Sequence, residues 1–199
     1  LGLGPGVAVV ADEVVLRDHL QGVPGIVEGR VRALEAGIQN ADAHAGAGEA
    51  LFSLAAAMTD EQSIDVALLY AQLALSFSGD RPVVLTLLGD IYVDTRQYQN
   101  AISAYEQTPP GSALRTNADT EIAINLQRLE RTKEAQEKLK EIIAREPGNY
   151  LALVTLGNVY RSNEEFKSAS DTYSTALALV SKLEKEHWRV LYYRGISYE

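Results

Sequence analysis

Leu153-Val154-Thr155-Leu156-Gly157-Asn158-Val159-Tyr160 decides how this chain is read. Its skeleton is Leu153, Leu156, Gly157 and Tyr160. The same skeleton stands 68 residues earlier, as Leu85, Leu88, Gly89 and Tyr92. Sixty-eight is twice thirty-four, and a fixed period of that size marks a helical repeat array.

Units starting at Gly48, Pro82, Thr116 and Tyr150 put comparable residues in comparable slots. The first holds Leu51, Leu54, Ala55 and Met58, then Ala67, Ala71 and Ala74. The second holds Leu85, Leu88, Gly89 and Tyr92, then Ala101 and Tyr105. The third holds Asp119, Ile122, Ala123 and Leu126, then Ala135, Leu139 and Ile142. The fourth holds Leu153, Leu156, Gly157 and Tyr160, then Ala169, Tyr173 and Ala176. Glycine or alanine at the third-named slots lets two helices cross closely. Tyrosines at the large slots fill the space between helices and keep a hydroxyl near water or a partner. A single unit cannot bury its apolar face, so neighbours must stack.

This pattern resembles the tetratricopeptide repeat (TPR) family, whose signature runs W-x2-L-G-x2-Y, then A-x3-F, then P. The resemblance covers roughly three quarters of the chain and implies an all-α, right-handed α-solenoid of antiparallel helix pairs. The units are 48–81, 82–115, 116–149 and 150–187, with the first helix of a further unit at 188–199. Asp119 stands where the family has tryptophan, which predicts a loosely packed first helix in the third unit.

Local signals refine these boundaries. Thr59-x-x-Gln62 and Ser162-x-x-Glu165 read as capping boxes that open second helices. Pro147-Gly148 closes the third unit. Thr108-Pro109-Pro110-Gly111 predicts a shortened helix followed by an extended loop. The last motif slots, Leu191, Arg194, Gly195 and Tyr198, come four residues late. One extra helical turn through Ser181–His187 is expected to absorb them.

The first 47 residues read as a leader with one or two helices. Leu1–Gly6 alternates glycine, but no strand precedes it as a phosphate-binding loop would require, so a loose leader is the reading. Val7–Leu20 is apolar enough for a helix or a strand. Gly22, Pro24 and Gly25 break the chain. Ile26, Val27, Val31, Leu34 and Ile38 fit one helix face across Ile26–Asn40. The small residues of Ala41–Gly48 predict a turn. The start at Leu1 and the half unit at the other end lead us to expect a piece of a longer protein.

Composition narrows the function. The 199 residues carry a formal net charge of −9 and a pI near 4.9. That opposes the basic footprint of a nucleic-acid binder and an anchor on anionic lipid. There is no cysteine, hence no disulfide, thiolate nucleophile or Cys-based metal site. No apolar run is long enough to span a membrane. His19, His44 and His187 are far apart and none has metal-ligand spacing. The neighbouring acids Asp12/Glu13 and Asp60/Glu61 point different ways on a helix and read as solubilising charge. The charged runs Glu130–Glu146 and Lys182–Glu186 read as solvated outer faces.

The resemblance implies a non-enzymatic scaffold or adaptor without cofactor or metal, holding a protein or peptide in a concave groove lined by first helices. The inner slots are Phe52, Ala56, Thr86, Asp90, Val93, Thr120, Ile124, Gln127, Val154, Asn158, Arg161, Arg189 and Tyr192. Asn158 is the sharpest candidate, because its amide can hold an extended backbone through donor and acceptor together. The alternative is an amide bonded to the neighbouring unit. Some TPR proteins clamp a chaperone's C-terminal carboxylate with Lys and Asn. Here those places hold Phe52, Ala56, Leu87, Leu151 and Thr155, so that clamp is missing.

The stretch from His187 to Glu199 is similar to large bacterial TPR proteins, many of them exported or lipid-anchored in proteobacteria. It points to a periplasmic or membrane-associated setting, with a cytoplasmic one as the alternative, and to envelope assembly or protease delivery. Two rival readings stay open. One is a regulatory segment of a larger enzyme, such as a glycosyltransferase. The other is self-association into a homo-oligomer.

Overall fold

A computed structural model describes residues 41–59, 63–78, 81–182 and 184–197. The expectations for the leader, for Ile26–Asn40, for Gln62 of the first capping box and for Tyr198 lie outside these residues. Among the described residues there are nine α-helices, one 3-10 turn and no strand. The helices are α1 (Ala41–Ala57), α2 (Ile64–Ser78), α3 (Pro82–Asp94), α4 (Tyr98–Glu106) and α5 (Arg115–Arg128). They continue as α6 (Thr132–Arg145), α7 (Tyr150–Ser162), α8 (Phe166–Ala178) and α9 (Trp188–Ile196).

Consecutive helices pack pairwise, α1 on α2, α3 on α4, α5 on α6 and α7 on α8, and each pair packs on the next. Successive odd-numbered helices also touch one another, α3 on α5 and α5 on α7, more than even-numbered ones do. The odd helices therefore lie on the inside of the curve.

The core follows the repeated slots. One cluster joins α1–α4 through Leu51, Ala55, Ala67, Ala71 and Ile91. A second runs from α4 to α9 through Tyr105, Ile122, Leu139, Leu156 and Tyr173. Tyr92 packs against both. Burial of side chains of this size contributes about 1.5–3 kcal/mol each before entropy is counted.

The 34-residue period is also written into the backbone. Arg96, Glu130 and Glu164 have φ of 58°, 60° and 62° and are spaced 34 apart. Each sits just past a first helix. The next residue's N–H closes the turn onto the carbonyls of Tyr92, Leu126 and Tyr160, at 2.7, 2.9 and 2.9 Å. This wide closing bond over a left-handed residue is a Schellman-type helix end.

Five local expectations are corrected. Ala41–Gly48 is not a turn but the first half of α1. Its alanines have the highest helix propensity and outweigh two glycines. Ser162 is the last residue of α7, not a cap of α8. Its hydroxyl donates back to the carbonyls of Asn158 and Val159, and the α8 N-cap is Glu165 with no side-chain cap bond.

The helix before the Pro-Pro pair is indeed short, nine residues. The loop after it is turned rather than extended, with Ser112 N–H on the Pro109 carbonyl and Arg115 N–H on Ser112. The extra residues before α9 do not lengthen α8, which stops at Ala178. Instead, Glu184 and His187 cap a 3-10 turn at Lys185–His187 that leads into α9.

The third unit is not loose. Asp119 is 1% exposed and replaces an apolar anchor with an ionic one. Arg115 donates to one carboxylate oxygen from Nε and Nη2, at 3.1 and 2.8 Å. Arg145 donates to the other at 2.8 Å, and Lys138 stands 3.9 Å away. These cations outweigh burial and hold the Asp119 carboxyl below the usual range. Arg115 also donates to the carbonyls of Glu106 and Thr108, so the same ion pair fixes the loop behind the short helix.

Candidate functional site

The inner face is built from positions seven apart on each odd helix, which share a side. On α3 these are Val83 and Asp90; on α7, Leu151 and Asn158. Val83 and Leu151 are 45% and 54% exposed, so each polar slot has an uncovered apolar neighbour two turns before it.

The structure gives Asn158 and Asp90 the same partner. Tyr173 of α8 donates its hydroxyl to Asn158 Oδ1 at 2.8 Å, and Tyr105 of α4 donates to Asp90 Oδ1 at 2.5 Å. The bond runs within each unit, from second helix to first, and not to the neighbouring unit. It takes one lone pair of Asn158 Oδ1 and leaves both amide hydrogens to donate.

Glycine makes this contact possible. A Cβ at Gly89 would lie 2.4 Å from the Tyr105 ring, and one at Gly157 would lie 2.5 Å from the Tyr173 ring. Where the third unit has Ala123 for glycine it has Leu139 for tyrosine and Ile124 for the polar acceptor. In the second, third and fourth units the three slots change together: glycine, tyrosine and acceptor in two of them, alanine, leucine and isoleucine in the third, while the first unit has Ala55, Ala71 and Ala56 there.

Arg161 lies one turn beyond Asn158. Its guanidinium stands over the Tyr193 ring of α9, 4.4 Å from the centroid, a cation–π distance. Burial pushes the Tyr173 phenol up, and Arg161 draws it partly back. Trp188 and Tyr192, 60% and 55% exposed, continue the face onto α9. At the other end, loss of water raises the carboxyls of Asp90 and Glu121, while Arg128 lowers that of Glu121.

The remaining inner-slot residues divide. Gln127 donates to Ser162 at 3.3 Å across units. Phe52, Ile124 and Val154 are half-buried, with Phe52 and Val154 packed on the cores. Thr86 is half-buried and bonds its own helix at Val83. Arg189 is exposed. Thr120 is 2% exposed and bonded to the Thr116 carbonyl, which corrects its place in the row. Its slot turns inward where α5 packs between its neighbours.

Sequence reasoning missed Tyr105, Tyr173 and Tyr193 as partners of the face, and Val83 as part of it; Leu151 it named only as a place of the missing clamp. The joint change of glycine with tyrosine was the available signal for the first two. An open cleft of about 360 Å³ lies elsewhere, lined by Lys140, Leu153, Leu156 and Asp171.

Among the described residues no group of His, Cys, Asp and Glu could hold a metal ion, and no helix is long and apolar enough to cross a membrane.

Residues 84–109 match the family model for the tetratricopeptide repeat. Period and helix pairing give the described array the fold of a tetratricopeptide-repeat solenoid, and the family model matches one repeat of it. Solved structures of similar fold include YrrB, described as a TPR protein with an unusual peptide-binding site. It has a TM-score of 0.60 and 16% identity over 85% of this chain and 81% of that one. MamA from Desulfovibrio magneticus RS-1 gives 0.60 and 16%, over 76% and 89%. PilF of Pseudomonas aeruginosa gives 0.59 and 12%, over 85% and 89%. At these identities the likeness is one of fold. No curated protein sequence matches the chain.

Proposed function

We propose that this chain is a non-enzymatic binding scaffold whose inner face receives an extended segment of another protein. One observation carries the reading. Tyr173 fixes the Asn158 amide by its oxygen and leaves the amide donors on the inner face, beside exposed Leu151 and the Arg161 guanidinium. A fixed amide beside apolar surface suits a peptide backbone carbonyl with a side chain alongside.

The test is selection of peptides from a random library on the immobilised chain, followed by affinity measurement. Asn158→Ala and Tyr192→Ala should each weaken a selected peptide about ten-fold, near 1.4 kcal/mol. Glu137→Ala, on the solvated outer face, should not. Peptides that bind all three variants as tightly as the parent would place the binding surface elsewhere.

The finer form of the proposal sets the scaffold in envelope assembly or protease delivery. Co-fractionation of the full-length protein with envelope components would support it, and a purely cytosolic distribution would remove it. Self-association is a second reading, favoured by the exposed row Trp188, Tyr192 and Ile196 on α9. Light scattering that shows a concentration-independent monomer would sink it.

A further inference from the structure

The charge on the inner helices changes sign along the array. α3 carries Asp90 and Asp94 and no base. α5 sets Arg115 and Arg128 against Asp119 and Glu121. α7 carries Arg161 and no acid, and α9 carries Arg189 and Arg194 and no acid. Exposed Glu49 on α1 extends the acidic side. Of the outer helices, α2 and α4 carry one acid each and no base, while α6 and α8 mix both signs.

Among the described residues, none of Arg161, Arg189 and Arg194 is in an ion pair; of the other inner-helix cations, Arg115 is in one and Arg128 is not. Arg161 stands over the Tyr193 ring and beside the Tyr173 hydroxyl, and its buried Nε has no hydrogen-bond partner. A guanidinium positioned in this way meets a carboxylate at little entropic cost. At the opposite end the acids are under-compensated. Arg128 stands over the Tyr98 ring at 5.2 Å and forms no ion pair with Asp90 or Glu121.

We propose that the groove takes an extended peptide of segregated charge, with an acidic stretch and a neighbouring aromatic residue over α7–α9 and a basic stretch over α3–α5. The inference rests on the peptide-groove reading. Reversed seating would set like charges together at both ends, and an alternating peptide would set half of its charges against their own sign. The charge pattern therefore selects both the partner and its direction.

Two labelled peptides of one composition test this on the full chain by fluorescence anisotropy. The first has a lysine block, a neutral spacer and a glutamate block carrying one phenylalanine. In the second the lysines and glutamates alternate. At low salt the segregated peptide should bind at least about ten-fold tighter, and the gap should shrink as salt shortens the Debye length toward roughly 8 Å and below. The pair Arg161→Gln and Arg189→Gln should bring it to the alternating level, with unchanged circular dichroism.

Trp188 is the chain's one tryptophan and lies at the basic end. A p-nitrophenylalanine in the glutamate block should quench it, and one in the lysine block should not. Equal affinities, both weakened by Tyr192→Ala, would leave the groove standing and overturn its polarity. Binding that ignores Tyr192→Ala and Asn158→Ala would overturn the groove itself. Absence of binding by either peptide overturns the charge proposal.

Discussion

Gly157→Ala isolates the contact on which the fourth unit is built. The new Cβ would lie 2.5, 2.7 and 3.0 Å from Cε1, Cδ1 and Cζ of Tyr173. Carbon pairs rest at about 3.5–4.0 Å, so the overlap is about 1 Å. Tyr173 has no free direction in which to yield: it is 0% exposed and its hydroxyl is tied to Asn158. Overpacking of this kind costs about 1–3 kcal/mol. Alanine returns about 1 kcal/mol of helix propensity over glycine. An overlap of about 1 Å on an immobile ring belongs at the upper end, about 2–3 kcal/mol, so the net loss should be about 1–2 kcal/mol.

Tyr173→Leu alone should lose about 2–3 kcal/mol, through the cavity beside Gly157 and the missing hydroxyl bond. The double variant recreates the Ala123–Leu139 pair, both 0% exposed in the third unit. It should be less destabilised than the sum of the two by about 1–2 kcal/mol. Array stability is a sum over neighbouring units, so a global melting midpoint averages the effect. Hydrogen exchange of the α7 and α8 amides is the direct assay. A neutral Gly157→Ala, or losses that add within about 0.5 kcal/mol, would refute the size-exchange argument.

Gly195 occupies the same slot on α9, but nothing lies within 4 Å of a Cβ there. Gly195→Ala should therefore be neutral or stabilise by up to about 1 kcal/mol, read by thermal melting. Glu130→Gly should stabilise by up to about 1 kcal/mol in urea unfolding, since it relieves a left-handed non-glycine at φ 60°. Asp119→Ala should cost about 3 kcal/mol, with lost protection in α5 and in the Thr108–Gly111 loop, while Asp119→Leu should cost less.

The Asp119 carboxyl is lowered in the folded chain, so its stabilisation is complete above the unfolded value of about 3.9. That stabilisation is lost as pH falls through the lower folded value, and Asp119→Leu should flatten the acid limb of unfolding. Asp90 is raised, so its ionised form opposes folding as pH climbs through the raised value. Asp90→Asn keeps the acceptor for Tyr105 and should raise the melting midpoint slightly at pH 7 but not at pH 4. A lower midpoint at pH 7 would contradict this.

The fold was legible because packing slots are read by size. Leu85 and Leu153, Gly89 and Gly157, Ala101 and Ala169 each meet a fixed distance between helix axes, whatever the intervening chain does. Turn chemistry was less legible because it depends on backbone conformation that several residue types can adopt. The closing device at Arg96, Glu130 and Glu164 uses no glycine, so composition did not mark it. Ser162-x-x-Glu165 has the letters of a capping box, yet α7 runs on to consume the serine. Asp119 read as a gap in the pattern because its three cations come from sequence positions 115, 138 and 145. Spacing within one helix predicts the first of these and not the other two.

The candidate site shows the same division. Slot arithmetic placed Asp90, Asn158 and Arg161 on one face, because they share a helical phase with the packing residues around them. It could not supply Tyr105 and Tyr173, which reach that face from the second helices. Those tyrosines join the packing to the inner face. Each ring fills the space left by a glycine, and each hydroxyl orients the polar group in the adjoining inner slot. A unit with alanine and leucine, like the third, loses the ring, the hydroxyl and the oriented acceptor together, and Ile124 stands there instead. The inner face therefore alternates an oriented polar slot, an apolar one and a second oriented polar slot. The polar ends differ in chemistry, carboxylate at Asp90 and amide at Asn158, although the tyrosine hydrogen bond is the same. One packing solution, repeated at a distance of two units, thus presents two different oriented polar groups without altering the fold that holds them.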